Sequence, residues 1–338
     1  MASYFKKRNI NFSLKTYFVD AFGAMAMGLF ASLLIGTIFK TVYTYTGIKL
    51  FENMSAFGSA VSGPAIAVAV GMALNAPKLV LFSLCAVGYG AMTIGGAGGP
   101  FLTYIAAVVS CEAGKLVSNT SKLDIIVTPS VTIGIGTALI MWIGAPIATA
   151  VSKIGVFLME CTTYHPFIMG IIISVLVGIA LTLPISSAAI CASIGLTGIA
   201  GGAAAAGCCA HMIGFAFMSF RENGFGGLVA QGVGTSMLQM GNLTKKPILW
   251  IPPVIASAVT GPLSTCIFKL ETVTGVNSGM GTCGLVGPID ILSSGLDAFG
   301  ILGLVLICFV LPALISVSVC EIFRKLKWIE HGDLKLDL

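Results

Sequence analysis

From residue 161 to residue 220 the chain carries no Asp, Glu, Lys or Arg. A stretch of that length crosses a bilayer twice at about 20 residues per span, and no water-facing surface can be assembled from it. The rest of the chain has the same character: 9% of its residues are charged and 57% hydrophobic, against roughly 25% charged in a soluble domain. The expected fold class is an all-α polytopic membrane protein with about 8–10 transmembrane helices.

The charges that exist flank the apolar runs. Met1 to Tyr17 carries Lys6, Lys7, Arg8 and Lys15 with no acid, and no small-residue cleavage site follows, so residues 1–17 read as a cytoplasmic tail entering a permanent first span. Arg324, Lys325, Lys327 and Lys335 mark residues 321–338 as a second cytoplasmic tail, which makes the number of full crossings even. These flanks account for most of the net charge of +5, leaving no basis for nucleic-acid binding. The ten cysteines are scattered through apolar runs and read as reduced, small hydrophobes. Cys208-Cys209 beside His211 has metal-ligand residue types. Adjacent cysteines point apart on a helix and no second Cys/His pair lies nearby, so neither a metal nor a cofactor is expected.

Apolar runs place eight spans, at Phe18 to Phe39, Ala56 to Leu74, Leu79 to Ile94, Pro100 to Leu116, Val131 to Val151, Pro166 to Leu183, Pro247 to Phe268 and Ala298 to Val319. Between Pro184 and Asn242, and again from Glu271 to Pro288, the sequence stays mostly uncharged but is dominated by Gly, Ala, Ser and Thr. Backbone that leaves the helix at membrane depth must be buried in protein or line a wet cavity. For residues 186–210, re-entry and close helix packing through small residues are both open readings. For 271–288 the glycines and Pro288 favour re-entry. A short echo, Ser59-Ala-Val-Ser-Gly-Pro64 and Ser257-Ala-Val-Thr-Gly-Pro262, hints at repeated halves or is coincidence. The polar interruption from Lys153 to His165 marks a boundary between residues 18–155, a scaffold, and residues 156–320, which hold both irregular segments.

Three groups of residues can carry chemistry. His211, Arg221, Glu222 and Asn223 together donate to and accept from several hydroxyls, although Arg221 and Glu222 also fit an ordinary charged loop. From Asn223 onward Gly227, Gln231, Thr235 and Gln239 recur at steps of four, predicting an amphipathic helix with an uncharged polar stripe. Such a stripe suits a polar cavity better than an anionic lipid surface, which selects Lys and Arg. The third group is Glu271, Thr274, Asn277, Ser278 and Thr282, where glycine backbone, hydroxyls and an amide offer neutral coordination, or else form an extramembrane turn. Glu112 and Asp124, near span ends, read as structural. There is no P-loop, zinc-protease, nucleophile-elbow or dinucleotide motif, and hence no catalytic residue to name.

The layout, the Gly207-Cys-Cys-Ala-His211 to Arg221-Glu-Asn-Gly224 segment and the glycine-rich stretch ending Gly287-Pro288 resemble the integral membrane EIIC subunit of bacterial phosphotransferase systems. Within that family the likeness is to the perfringolysin O regulator, or toxin regulator, branch. The resemblance covers about residues 15–325. It implies a homodimer built through the N-terminal helices, and a C-terminal transport domain whose two hairpins hold a sugar and move by an elevator motion. It also implies a multi-pass protein of the bacterial cytoplasmic membrane. A separate EIIB protein would phosphorylate the sugar, since no soluble EIIA or EIIB domain is present in the chain. One departure matters. Many EIIC subunits carry a Thr-Glu-Pro type motif in the second hairpin, whereas the comparable place here reads Val276-Asn277-Ser278-Gly279 with the nearest acid at Glu271. That departure opens the alternative of a membrane sensor acting on gene expression through a partner.

Overall fold

The computed structural model describes residues 8, 10 and 13–336; the expected basic residues Lys6 and Lys7 lie outside the described residues. The described chain is helical, with a single antiparallel bridge between Gly198 and Thr272. Among the described residues six helical stretches are long and apolar enough to span a membrane, seven if one bent pair counts as a span. The chain divides into two compact units, Met1–Ala150 and Val151–Leu338.

The first unit opens with α1 (Thr16–Thr46), followed by α2 (Lys49–Ala60) and α3 (Ser62–Ala73), bent by 50° relative to each other. Next come α4 (Lys78–Gly95) and α5 (Gly99–Val117). Although contiguous in helical structure, α4 and α5 are two antiparallel helices. Gly96, at φ 52° and ψ −126°, reverses the chain, and Val87, Ala91, Leu102 and Ala106 share one core cluster. In a straight helix Val87 and Ala106 would stand about 28 Å apart at 1.5 Å per residue. The two spans read from the sequence on either side of Gly95 to Pro100 are therefore separate helices. Buried in the same unit, the Lys115 ammonium lies 3.2 Å from the Glu112 carboxylate, which also accepts from the Tyr17 hydroxyl. Helix α6 (Asp124–Cys161) carries the chain from the first unit into the second.

In the second unit α7 (Pro166–Thr182), α8 (Ser187–Ser193), α9 (Gly198–Met218) and α10 (Phe220–Val229) follow in order. The chain then passes through α11 (Met240–Lys245), α12 (Pro247–Phe268), α13 (Gly275–Ser278), α14 (Val286–Ser293) and α15 (Ala298–Lys325). Helix α9 is the axis of this unit. It adds an uninterrupted span where the small-residue composition had left re-entry open, and the reason is packing. A Cβ on Gly207 would overlap the Ser174 carbonyl of α7, one on Gly202 the Leu270 carbonyl, and one on Gly214 would come 2.5 Å from Ser316 Oγ of α15. Small side chains let three neighbours close on one helix, which lipid does nothing to drive by itself. The two halves of the sequence echo play the same local part: Gly63 closes on Gly88, and Gly261 on Gly170.

Two irregular segments, the candidates for re-entry, leave the helical path before α9 and after α12. The chain leaves α7 at Leu183-Pro184, makes the short α8, and turns into α9 through Gly195 and Gly198, both at positive φ. The second irregular segment leaves α12 at Lys269 and makes the short α13 before reaching α14. The two segments meet. Gly198 N–H donates to Thr272 O (2.9 Å), Thr272 N–H to Gly198 O (3.2 Å), and Ser187 Oγ–H to Gly279 O (2.6 Å). Gly275 and Gly279 permit that approach, since a Cβ at either would press on the backbone of α8.

Candidate functional site

Helix α9 orders the residues singled out in the sequence into three groups along its length. At 1.5 Å per residue, His211 lies about 20 Å from the Gly198 end and about 10 Å from the Met218 end.

The middle group surrounds His211, which is fully buried. Its Nδ1 is 3.0 Å from Thr182 Oγ1 on α7, which is 2.8 Å from Ser236 Oγ. Nε2 has no hydrogen-bond partner. The ring is flanked by Phe215 and Trp250, with centroids at 6.2 and 6.0 Å. Gly178 makes room for it, because a Cβ there would lie 2.6 Å from His211 Cδ2. Three interruptions of helical backbone gather here. Thr182 is the last residue of α7, Ser236 follows the extended Thr235, and the turn at Gly281 packs on Cys208 and Cys209 while Thr282 Oγ1–H donates to Met212 Sδ (3.5 Å). The hydroxyl chain can run either way. With Nδ1 protonated, Nε2 is an acceptor; with Nδ1 accepting from Thr182, Nε2 is a donor.

The second group lies at the Met218 end. The predicted amphipathic helix is interrupted here: α10 gives way to a wide turn, Ala230–Gly234, and Thr235 is extended, its hydroxyl capping Met237 N–H. Glycines at 224, 226, 227, 232 and 234 remove the helix preference that would have bridged the gap. The polar ladder nonetheless forms. Gln231 Nε2 donates to Ser219 Oγ (2.8 Å) and Gly227 O (3.0 Å), Gln239 Nε2 to Gln231 Oε1 (2.9 Å), and Asn242 Nδ2 to Gln239 Oε1 (2.8 Å). Its remaining valences go to the chain's own C-terminal residues, Leu334 and Lys335. The Glu222 side chain is buried and paired with Arg324 at 3.2 Å, while Arg221 stands exposed beside Glu321.

The third group, near the Gly198 end, contains a residue that sequence reasoning missed. Asp290 of α14 is 6% exposed, and its carboxylate accepts from Val273 N–H (2.7 Å), Thr274 N–H (3.1 Å), Thr274 Oγ1–H (3.2 Å) and Asn277 Nδ2 (2.8 Å). Thr274 and Asn277 are thus tied down within the segment, and Ser278 Oγ–H turns back to Gly275 O. Glu271 is exposed, so the acid beside Asn277 is Asp290. The signal was available: an acid inside the apolar run Val286 to Leu292 is a functional candidate by default. Thr182 and Ser236 gave no such signal.

Among the described residues no group of three or more His, Cys, Asp or Glu side chains is placed to hold a metal. Cys208 Sγ–H instead donates to Val177 O (3.8 Å), and Cys209 lies in the apolar core with Leu270 and Cys308.

The sequence profile of the family described as phosphotransferase system, EIIC, matches residues 19–336. The chain belongs to the EIIC family. It is thus a multi-pass membrane component of phosphotransferase type, a family of sugar permeases whose members in general work with an EIIB protein. Comparison with curated proteins and with solved structures gave no match. Two short irregular segments meet at the Gly198 end of α9, whose residues Gly201 to Ala216 are buried.

Proposed function

We propose that this EIIC chain moves a small polar solute, a sugar, across a bacterial cytoplasmic membrane, with His211, Thr182 and Ser236 at the centre of the solute site. The observation that carries the reading is the open valence of His211 Nε2, buried where three helix interruptions converge. A buried imidazole nitrogen without a partner costs free energy unless a ligand fills it, and a sugar hydroxyl both donates and accepts. Thr235 and Thr282 stand beside this centre, whereas Arg221, Glu222, Asn223, Gln231, Gln239, Glu271, Thr274, Asn277 and Ser278 bear on it through the elements they hold.

Because His211 is enclosed, access needs motion. In this reading the second unit travels as an elevator against a dimeric scaffold made by the first, both termini are cytoplasmic, and a separate EIIB protein receives the solute. The exposed apolar face of α6, with Met141 and Trp142, supports a lipid or subunit contact for that scaffold. The Gly207 to Gly224 segment supports placement in the toxin regulator branch.

The test is uptake and binding of a sugar panel by the purified protein in liposomes, with His211→Ala and Thr182→Val compared with the unaltered chain. Loss of binding in both variants, with folding retained, is the expected result. No binding of any sugar by the unaltered protein, together with no effect of either substitution, would sink the proposal. A second reading, a sensor acting through a partner protein, is favoured by one observation: the carboxamide ladder is filled by the chain's own C-terminal residues. Robust solute flux without any partner counts against it.

A further inference from the structure

The carboxamide ladder at the Met218 end of α9 is not bare polar surface. Residues 328–336 lie along it and are held chiefly through their backbone. Asn223 makes two contacts with one stretch, Nδ2–H to Leu334 O and Leu336 N–H to Oδ1, both at 2.8 Å. Gln239 Nε2–H also donates to Leu334 O (3.0 Å), and Asn242 Nδ2–H to Lys335 O (2.8 Å). Gly332 N–H donates to Glu222 Oε1 (3.1 Å), and the Lys246 ammonium pairs with Asp333 at 2.6 Å. Two apolar anchors complete the fit, Ile329 at 1% and Leu334 at 0% exposure, while Glu330 and His331 between them are exposed, with His331 Nδ1 3.7 Å from Glu222 Oε1.

Asn223, which donates to one backbone carbonyl and accepts from the amide two residues on, reads the main chain on either side of Lys335 as a neighbouring strand would. A sugar presents no such alternation along a line. The tail is joined to α15 by a short turn, Leu326 to Trp328, so its presence raises the local concentration of the segment without requiring tight contacts.

We propose that Asn223, Gln239, Asn242 and Glu222 form a recognition site for peptide main chain, and that residues 328–336, which fold over it in two successive turns (Asp333 N–H to Glu330 O, Lys335 N–H to Gly332 O), are its tethered and exchangeable ligand. The site is separate from the solute centre at His211, about 10 Å further along α9. A tethered ligand makes a latch. While it is seated, the broken stretch 223–246 is tied to the end of α15; when a competing segment takes its place, that tie is released.

The test uses the full chain in detergent, digested by a carboxypeptidase that trims from the C-terminus. Trimming through Leu334 is expected to be slow and to quicken about tenfold in the N223A/Q239A double variant, since the loss of three hydrogen bonds is involved. An excess of a synthetic peptide with the sequence of residues 328–338 is expected to quicken trimming of the unaltered chain. The same peptide carrying Leu334→Asp should have no effect. If the double variant does not fold, as judged by size-exclusion chromatography, the peptide competition decides alone. Equal trimming with and without the peptide overturns the proposal, whether or not solute binding at His211 is found.

Discussion

Replacing Asp290 by Ala is the sharpest test of how the second irregular segment is held. Four donors converge on this carboxylate at 2.7 to 3.2 Å, two from backbone and two from side chains. A hydrogen bond to a charged group contributes about 1.5–3 kcal/mol when buried. Val273 and Thr274 are themselves exposed, so their donors recover other partners after the substitution, and the sum is discounted by more than half to about 3 kcal/mol. For a cooperative unit of this size that corresponds to a fall in Tm of about 6–12 °C. Tryptophan fluorescence in detergent follows the transition, and hydrogen exchange locates it. The amides of Val273 and Thr274 are expected to lose protection while α4 and α5 do not. Asp290→Asn is expected to rank with Asp290→Ala, because its NH2 group faces donors in place of an acceptor. A Tm for Asp290→Ala within about 1 °C of the unaltered chain, with unchanged exchange at Val273 and Thr274, refutes the reasoning.

Gly207→Ala puts a Cβ against the Ser174 carbonyl and forces α7 and α9 apart, an overpacking cost of about 1–3 kcal/mol. Gly226→Ala meets nothing within 4 Å and is expected to change Tm little, or to raise it. Arg324→Ala leaves Glu222, 1% exposed, without its guanidinium and is expected to cost about 3–5 kcal/mol in chemical denaturation. Arg221→Ala, removing a side chain 66% exposed, is expected to stay within about 0.5 kcal/mol. Equal effects of the two arginine substitutions would show that burial does not set the difference.

The membrane class and most spans were legible because they rest on local composition. An apolar run of helix length has one stable form in lipid, and Gly95 to Pro100 announces a reversal by its own backbone freedom. Helix α9 was only half legible: Gly201 to Gly207 reads alike for a close-packed span and a broken one until the neighbours are known, and those neighbours, Ser174, Leu270 and Thr272, come from elsewhere in the chain. Spacing at steps of four did bring Gln231 and Gln239 into contact, yet not on the continuous helix it predicted, since the extended Thr235 separates them. Asp290 and the tail were missed for a common reason. Their partners lie 13 to 17 residues away through an aperiodic loop in one case, and 87 to 113 residues away in the other. Periodicity carries no information about either.

That pattern of omissions bears on where a solute can bind. Polar side chains attract attention in an apolar sequence because each must be satisfied, and a sequence does not say by what. At the Gly198 end, Thr274 and Asn277 are satisfied by Asp290; at the Met218 end, Asn223, Gln239 and Asn242 are satisfied by the tail. The buried atoms without partners are then few among the described residues, and Glu222 Oε2 and Arg324 Nε belong to one ion pair. Thr103, Ser110, Ser264, Thr272 and Ser316 are single hydroxyls, and the last two are covered by Gly201 and Gly214 of α9. His211 differs in being linked on its other side to two hydroxyls from two further elements, so that filling Nε2 fixes the direction of the whole Thr182–Ser236 chain. In the proposed reading, a ligand hydroxyl at that nitrogen would order three segments at once, as a site that couples occupancy to movement requires.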